Sequence, residues 1–257
     1  MKILAVGDLV GKTGVYMLKN NLQNIIKEKN IDFVIVNAEN AADGMGLVEK
    51  QYRYILSSGA NVVTLGNHTW AKKDIFNFID DEHIVRPANY PEMNPGKGYR
   101  LFNCKNKKIA VINLMGRATM PVLTDNPFLK AKDILKELKG KVDLIFIDMH
   151  AEASAEKKAM FYYLDGEITA IFGTHTHVQT ADEEISVKGT GYITDIGMTG
   201  PKHSIIGMDP KASIKRFETS LPEKYKLADG EGMLNSCIFE IDENTNKTIN
   251  IERLNIK

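Results

Sequence analysis

The two histidines of the segment Gly173-Thr-His-Thr-His177 are the residues best suited to chemistry in this chain. An apolar run at residues 168–172 precedes them and is typical of a buried strand that stops at a glycine. Alternate side chains of extended backbone point the same way, so the pattern predicts that His175 and His177 leave the strand end together. Two neutral imidazoles there form half of a metal site, and a pair of surface histidines in a loop is the alternative.

Polar side chains also follow the other strand-like runs of the sequence. Apolar runs at residues 2–6, 32–36, 61–65 and 142–149 each predict a strand, and each precedes a carboxylate, an amide or an imidazole. Open α/β sheets bind ligands at the carboxyl ends of their strands. With the two histidines above, the candidate residues at these ends are Asp8, Glu39, Asn40, Asn67, His68, His150, His175 and His177.

These candidate residues carry oxygen and imidazole ligands without thiolates, which suit iron, manganese, zinc or magnesium. Their number exceeds what one ion needs. The pattern therefore favours a two-metal centre, in which the two carboxylate oxygens of Glu39 bridge the ions. Two cations about 3.5–4 Å apart polarise a phosphoryl group and lower the pKa of a shared water.

The stretch Gly7–Thr13 has a second interpretation. A strand, then Gly7-x-x-x-Gly11-Lys12-Thr13, then a helix is similar to a phosphate-binding P-loop, with residues 144–148 as its acidic partner strand. A P-loop needs four residues between its glycines so that backbone N–H groups can wrap the phosphates, whereas this chain has three. The spacing favours a strand whose terminal Asp8 faces a site, and the P-loop stays as the alternative.

The composition excludes several classes of protein. The 257 residues carry 33 basic and 33 acidic side chains, so bulk charge favours neither extended nucleic-acid binding nor a membrane surface. The first residues turn polar too early for a signal peptide, and no apolar run approaches membrane-spanning length. Cys104 and Cys237 are too few for a disulfide framework, so we expect small core residues. These features predict a cytoplasmic protein.

The order of the predicted elements indicates an α/β fold in which residues 1–257 form a single domain. Strand–helix units occupy residues 2–79, and further strands and helices follow between residues 108 and 195. The pattern loosens at residues 83–126, where we expect Arg86, Tyr90 and Arg117 on the solvated surface. Residues 197–232 indicate a solvated face, with a lid or an oligomer contact as the alternatives, and residues 233–256 predict a β-hairpin that closes the fold.

Taken together, these motifs resemble a known group. The order D…E-N…G-N-H…H…T-H-T-H is similar to the calcineurin-like metallophosphoesterase superfamily, and the whole chain more closely resembles the YmdB-like bacterial metallophosphoesterase family. The likeness is carried by Gly7-Asp-Leu-Val-Gly-Lys-Thr-Gly14, Asn37-Ala-Glu-Asn40, Gly66-Asn-His-Thr-Trp70, His150-Ala-Glu152 and Gly173-Thr-His-Thr-His177. Val10 and Thr69 stand where the broad superfamily has a histidine and an acid, and in the YmdB-like group this departure is expected.

The resemblance implies a specific fold and site. The implied fold is a four-layer α-β-β-α sandwich, whereas periodicity alone supports only α/β. The implied ligands are Asp8, Glu39, Asn40 and His177 for one ion and Glu39, Asn67, His150 and His175 for the second. His68 would protonate the departing alkoxide, and a role in orienting Asn67 is the alternative. Asp148 and Glu152 flank His150, and each is a candidate to accept an imidazole N–H.

The implied activity is phosphodiester hydrolysis by a metal-bound hydroxide at two ions, iron first, with manganese, magnesium or zinc as alternatives. The resemblance implies 2′,3′-cyclic nucleotides as substrates, 3′,5′-cyclic nucleotides as a second option, and a homo-oligomer. No base pocket can be identified in the sequence. Two other functions stay open, namely a P-loop-like nucleotide-binding protein that uses Gly7–Thr13 and a non-catalytic sensor of cyclic nucleotides.

Overall fold

The computed structural model describes residues 1–224 and 226–257. The helices are α1 (Gly11–Lys29), α2 (Glu49–Ser57), α3 (Pro127–Leu138), α4 (Ser154–Leu164) and α5 (Pro210–Thr219), with a 3₁₀ turn at Lys73–Asn77. The strands are β1 (Lys2–Val6), β2 (Asp8–Leu9), β3 (Phe33–Asn37), β4 (Val62–Thr64), β5 (Ile84–Val85), β6 (Tyr99–Cys104), β7 (Lys107–Met115), β8 (Leu144–His150), β9 (Ala170–Thr174), β10 (Glu184–Ile185), β11 (Gly191–Ile193), β12 (Met198–Pro201), β13 (Gly232–Asp242) and β14 (Lys247–Ile256).

The described strands form two sheets. The first has the order β2-β12-β13-β1-β3-β4-β5, with β14 paired to β13, and the second has the order β10-β11-β9-β8-β7-β6. Parallel pairing joins β1, β3, β4 and β5 in the first sheet and β7, β8, β9 and β11 in the second. Because parallel strands run in one direction, their carboxyl ends lie along one edge of each sheet. Polar residues that follow these strands are thereby collected at one place.

Alternation along the strands produces the layers of the fold, because successive side chains point to opposite faces. In β1, Leu4 packs in the apolar cluster that includes α1 and α2, whereas its neighbour Ile3 packs between the two sheets. In β8, Ile147 packs in the cluster that includes α3 and α4, whereas Phe146 lies between the sheets. Helices, sheet, sheet and helices therefore follow one another. This confirms the four-layer α-β-β-α sandwich of the calcineurin-like type.

The helices have the pattern and the caps that this packing requires. In α1, Leu18, Leu22 and Ile25 recur with helical spacing and are buried against the first sheet. Helix α3 begins where the side chain of Asn126 accepts the backbone N–H of Phe128, and a proline occupies its first turn. None of the described helices is long and apolar enough to span a membrane.

The region where the sequence pattern loosens differs from expectation. It contains the additional strand β6, which pairs with β7 at the edge of the second sheet and exposes two of its six residues, Leu101 and Asn103. The expected surface positions of Arg86 and Tyr90 are wrong, since both side chains are buried, whereas Arg117 is exposed as expected. The guanidinium of Arg86 donates to the backbone carbonyls of Pro87, Asn94 and Pro95 at 2.8, 3.0 and 2.9 Å. It therefore organises a proline-rich loop.

The carboxyl-terminal part of the chain extends the first sheet. The predicted hairpin is confirmed as β13 and β14. The solvated face expected at residues 197–232 is wrong for β12, which is buried between β2 and β13. The same expectation is correct for helix α5, because Ser213 is the only one of its ten residues that is buried. Both cysteines are free thiols. Cys237 is buried and Cys104 is half-buried, which agrees with the prediction that they are small core residues.

Candidate metal centre

The carboxyl ends of parallel strands from both sheets meet and bring all eight candidate residues together. The first sheet contributes Asp8, Glu39, Asn40, Asn67 and His68, and the second contributes His150, His175 and His177. Five of the eight line a pocket of about 260 Å³, namely Glu39, Asn40, His68, His175 and His177. The predicted cluster at the strand ends therefore exists as one site.

The first half of the site is centred on the Nε2 atom of His150. The Oδ1 of Asn67 lies 2.9 Å from it, the Oε1 of Glu39 lies 3.1 Å from it, and the Nδ1 of His175 lies 3.1 Å from it. Ligand atoms of Glu39, His150 and His175 all lie within 4.8 Å of one another. These are the four residues that the family resemblance groups around one ion.

The tautomer of His150 follows from its second ring nitrogen. Its Nδ1 lies 2.8 Å from the hydroxyl oxygen of Thr174, and that hydroxyl donates its proton to Asp148 at 2.6 Å. The Thr174 oxygen must therefore accept the Nδ1–H of His150, which leaves Nε2, the atom that binds either a proton or a cation, facing Glu39 and Asn67. The atoms that meet at Nε2 are acceptors, and acceptors converge stably only around positive charge. This half of the site therefore fits a bound cation.

The second half of the site lies between Asp8, Asn40 and His177. The Nε2 of His177 lies 3.3 Å from the Oδ2 of Asp8 and 3.0 Å from the Nδ2 of Asn40. The Nδ1–H of His177 donates to the backbone carbonyl of Ile206 at 2.8 Å, so Nε2 faces the carboxylate. These three residues also belong to one of the two ligand groups that the family resemblance implies.

Unpartnered oxygens connect the two halves. Asp8 Oδ1, Glu39 Oε1 and Asn40 Oδ1 are buried and accept no hydrogen bond from any described residue while the Nε2 of His150 is unprotonated. A buried oxygen without a donor costs about 1–3 kcal/mol, and more when it carries charge. Cations at this position would satisfy all three oxygens at once. The residues present therefore fit a pair of metal ions with Glu39 between them.

Electrostatic interactions keep the two carboxylates ionised. Burial opposes the charge of Glu39, but the charge of His150 and the backbone N–H of His68 outweigh it and lower the pKa of Glu39 to about 2. Burial likewise opposes ionisation of Asp8, yet its contact with His177 lowers the pKa of that carboxyl. Burial lowers the pKa of His150, but the charge of Glu39 outweighs burial and raises this pKa to about 9, so the Nε2 that faces Glu39 holds a proton unless a cation takes its place. Two buried negative charges thus favour positive charge between them.

The two carboxylates that flank His150 differ in how they contact an imidazole. Asp148 reaches the imidazole through Thr174 and is itself held by hydrogen bonds from Asn37 and Thr64. Glu152 precedes helix α4, and its Oε2 lies 3.2 Å from the Nε2 of His175, so its partner is His175. Burial raises the pKa of Asp148 to about 6.

The expected geometry of the histidine segment is wrong. Strand β9 continues through Gly173 to Thr174, and His175 and His177 then have φ values of +95° and +66°. They therefore do not alternate along extended backbone. Their rings instead point to different halves of the site, one towards His150 and the other towards Asp8.

A buried ion pair that the sequence analysis missed imposes this backbone. The ammonium of Lys157 donates to the carbonyl of Thr174 and to Oδ2 of Asp195, both at 2.8 Å, and both charged side chains are fully buried. The same Asp195 oxygen accepts the backbone N–H and the hydroxyl of Thr176. The sequence offered one indication of this pair, because Lys157 lies on the same face of α4 as Met160 and Leu164, and that face is buried.

The stretch Gly7–Thr13 is not a phosphate-binding loop. The backbone N–H groups of Gly7, Val10 and Gly11 donate to the carbonyls of Asn235, Thr199 and Asn40. Asp8 and Leu9 form β2, which pairs with β12. These N–H groups are therefore committed to the protein and cannot wrap a phosphate, which contradicts the P-loop alternative.

Comparisons with known proteins agree with the fold. The two-sheet architecture is that of the calcineurin-like phosphoesterases. A family model described as YmdB-like protein matches residues 4–254, and the chain belongs to this family. The chain is 50% identical over 255 residues to the 2′,3′-cyclic-nucleotide 2′-phosphodiesterase of Bacillus subtilis (strain 168), covering 99% of this chain and 96% of that protein.

Two crystal structures show the same architecture. One is a novel phosphatase of Mycoplasma pneumoniae, with a TM-score of 0.94 and 40% identity, covering 100% of this chain and 93% of that chain. The other is a hypothetical protein from Thermus thermophilus, with a TM-score of 0.93 and 36% identity, covering 99% of this chain and 98% of that chain. The similarity therefore extends over the whole described fold, including every strand end at the site.

Proposed function

We propose that this chain is a metal-dependent phosphodiester hydrolase that uses two ions at the candidate metal centre. The observation that carries the proposal is the convergence of buried, unpartnered oxygens of Asp8, Glu39 and Asn40 with the Nε2 of His150. The phosphodiesterase name of the Bacillus subtilis relative supports the same reaction class. When bound, two metal ions neutralise phosphoryl oxygens and activate water.

The proposed ligands follow the two halves of the site. Asp8, Glu39, Asn40 and His177 would hold one ion, and Glu39, Asn67, His150 and His175 would hold the other. The ring orientation of each histidine supports this assignment, because Thr174 and the carbonyl of Ile206 bind the Nδ1–H groups of His150 and His177. Imidazole and carboxylate ligands suit iron, manganese or zinc, and the donor set does not select among them.

We assign His68 as the proton donor to the leaving oxygen. Its backbone N–H donates to Oε2 of Glu39 at 2.9 Å, which fixes the main chain beside the centre of the site. Its half-buried ring lines the pocket together with Glu39 and Glu152. An imidazole at that position can protonate an alkoxide as the ester bond breaks.

The proposed substrates are 2′,3′-cyclic nucleoside monophosphates, as in the name of the Bacillus subtilis relative. Cleavage of the ester to the 2′-oxygen would leave a 3′-monophosphate. The 3′,5′-cyclic nucleotides are a second candidate class, and homo-oligomeric assembly stays a prediction. A sensor that binds cyclic nucleotides without turnover remains the competing function.

Metal content and activity on one preparation would test the proposal. Wild type, Glu39→Gln and the control Glu92→Gln, whose side chain is exposed, are compared by elemental analysis and by hydrolysis of 2′,3′-cyclic AMP. We expect about two ions per chain in wild type and the control, and a loss of both metal and turnover in Glu39→Gln. Binding of the nucleotide without hydrolysis under any added divalent ion would favour the sensor and contradict the hydrolase.

A further inference from the structure

A second cavity adjoins the candidate metal centre. It has a volume of about 290 Å³ and lies between α5 and the turn at residues 205–208. Ile206 and Met208 line both this cavity and the pocket that contains Glu39 and His177. The two spaces therefore share a wall, which places the second cavity directly beside the metal centre.

The lining of this second cavity suits a flat, largely apolar group. Ile206 and Met208 form one side, and Ala212 and Phe217 of α5 form the other. The ring of Phe217 is 80% exposed, and Ile206 is 51% exposed, so their faces are available to a ligand. Aromatic faces stack on nucleobases, and sites for small molecules are mainly apolar with a few polar groups.

Charge at the rim of this cavity is complementary to a nucleotide. Arg216 and Lys224 line the cavity and are exposed, and both carry positive charge. An arginine can stack on a base or contact a phosphate oxygen. The hydroxyl of Ser213 and the carboxylate of Glu223 also line the cavity and provide an acceptor set for polar edges of a base.

The turn that separates the two spaces has a fixed and strained backbone. Ile205 and Met208 exchange both backbone hydrogen bonds at 2.9 Å, and Ile206 between them has φ of +47°. A β-branched residue in this left-handed region is strained and persists only when its surroundings hold it there. The carbonyl of Ile206 accepts the Nδ1–H of His177 at 2.8 Å. The turn is thus coupled directly to a candidate metal ligand.

We propose that the cavity between α5 and this turn binds the nucleobase of a nucleotide whose phosphate lies at the metal centre. The inference rests on the proposed function and adds the recognition of the base to it. A second copy of the chain is the competing occupant, because Ile214 and Leu221 are also exposed beside Phe217. The shared wall with the metal pocket favours the nucleobase.

Calorimetric binding to the metal-loaded protein would test this proposal. The two ligands are adenosine 3′-monophosphate and ribose 3-phosphate, which is the same molecule without its base. The variants are Phe217→Ala, Ala212→Trp, which fills the cavity, and the control Ile214→Ala, which alters an exposed apolar residue of α5 outside the cavity lining. We expect wild type and the control to bind the nucleotide roughly 5- to 100-fold more tightly than the sugar phosphate. Both cavity variants should lose most of this preference.

The outcomes separate the subsite from its alternatives. Equal affinity of wild type for the two ligands, or an equal weakening of both in Phe217→Ala, would overturn the proposal. A change of mass in sedimentation, with the nucleotide preference intact, would assign Phe217 to contact with a second copy instead. Selective nucleotide binding that Phe217→Ala abolishes, without turnover of 2′,3′-cyclic AMP by wild type, would support the subsite and contradict the hydrolase.

Discussion

Substitution of Lys157 by methionine should damage the fold and the candidate metal centre together. The ammonium lies 2.8 Å from both Asp195 and the carbonyl of Thr174, and neither charged side chain has any exposed surface. Methionine keeps the length of the side chain but leaves the carboxylate of Asp195 buried without a counter-charge. Breaking a buried pair in this way costs about 3–5 kcal/mol. Since Asp195 also holds Thr176, His175 and His177 should lose their fixed backbone.

Urea unfolding followed by circular dichroism would measure the change in the free energy of unfolding. The matched control is Lys29→Met, because Lys29 pairs with Glu252 at 2.6 Å on a surface where both side chains are more than a third exposed. Such a pair contributes about 0.2–1 kcal/mol. On the same samples, elemental analysis after dialysis against limiting metal should show a metal affinity reduced about 10- to 100-fold in Lys157→Met only.

A double variant provides the decisive comparison. Lys157→Met with Asp195→Asn removes both charges, so it should be more stable than Lys157→Met alone by at least about 1 kcal/mol. The reasoning is refuted by a Lys157→Met protein that loses no more stability than Lys29→Met. It is equally refuted by a double variant that is less stable than the single variant.

Three further predictions concern the site itself. A Cβ atom at Gly66 would overlap the carboxylate of Glu39 and the Nε2 of His150. Gly66→Ala should therefore keep the far-ultraviolet circular dichroism spectrum of wild type. Elemental analysis should find fewer than about two ions bound to this variant. Thr174→Val removes the hydroxyl that binds His150 and should lower metal affinity about 10- to 100-fold in competition with a chelator, whereas Thr174→Ser should retain it. Lys12→Ala should leave chelator-sensitive hydrolysis intact, because the exposed Lys12 lies outside the site. A loss of nucleotide binding in this variant would instead support the P-loop interpretation.

The parts of the site that could be predicted from sequence are those that local pattern determines. Asp8, Glu39 and His150 each follow a short apolar run, and parallel pairing carries the ends of such runs to one edge of each sheet. The residues therefore needed no knowledge of long-range packing to be recognised. The split of the strands between two sheets was not available from periodicity. It came from family resemblance and is visible here in the packing of neighbouring residues on opposite faces.

The features that could not be predicted depend on contacts between distant residues. The left-handed backbone at His175 and His177 is held by Lys157 and Asp195, which lie on other elements. The carbonyl that orients His177 belongs to Ile206, in a segment whose sequence indicates only a solvated face. Three backbone carbonyls of a loop surround Arg86 and accept its hydrogen bonds, so this side chain can be buried. The periodicity of a sequence does not indicate hydrogen-bond partners of this kind.

The candidate ligands come from two separate sheets, and this division has a consequence for the lifetime of the protein. Asp8 and Glu39 lie at strand ends of one sheet, and His150 and His177 lie at strand ends of the other. Bound ions would therefore link the two sheets at one edge. A ligand that binds only the folded chain stabilises it in proportion to its supply. Under metal starvation the layers would separate more often, and proteases would remove the opened chains. Cells short of the ion should then contain fewer copies of the protein, as well as less active ones.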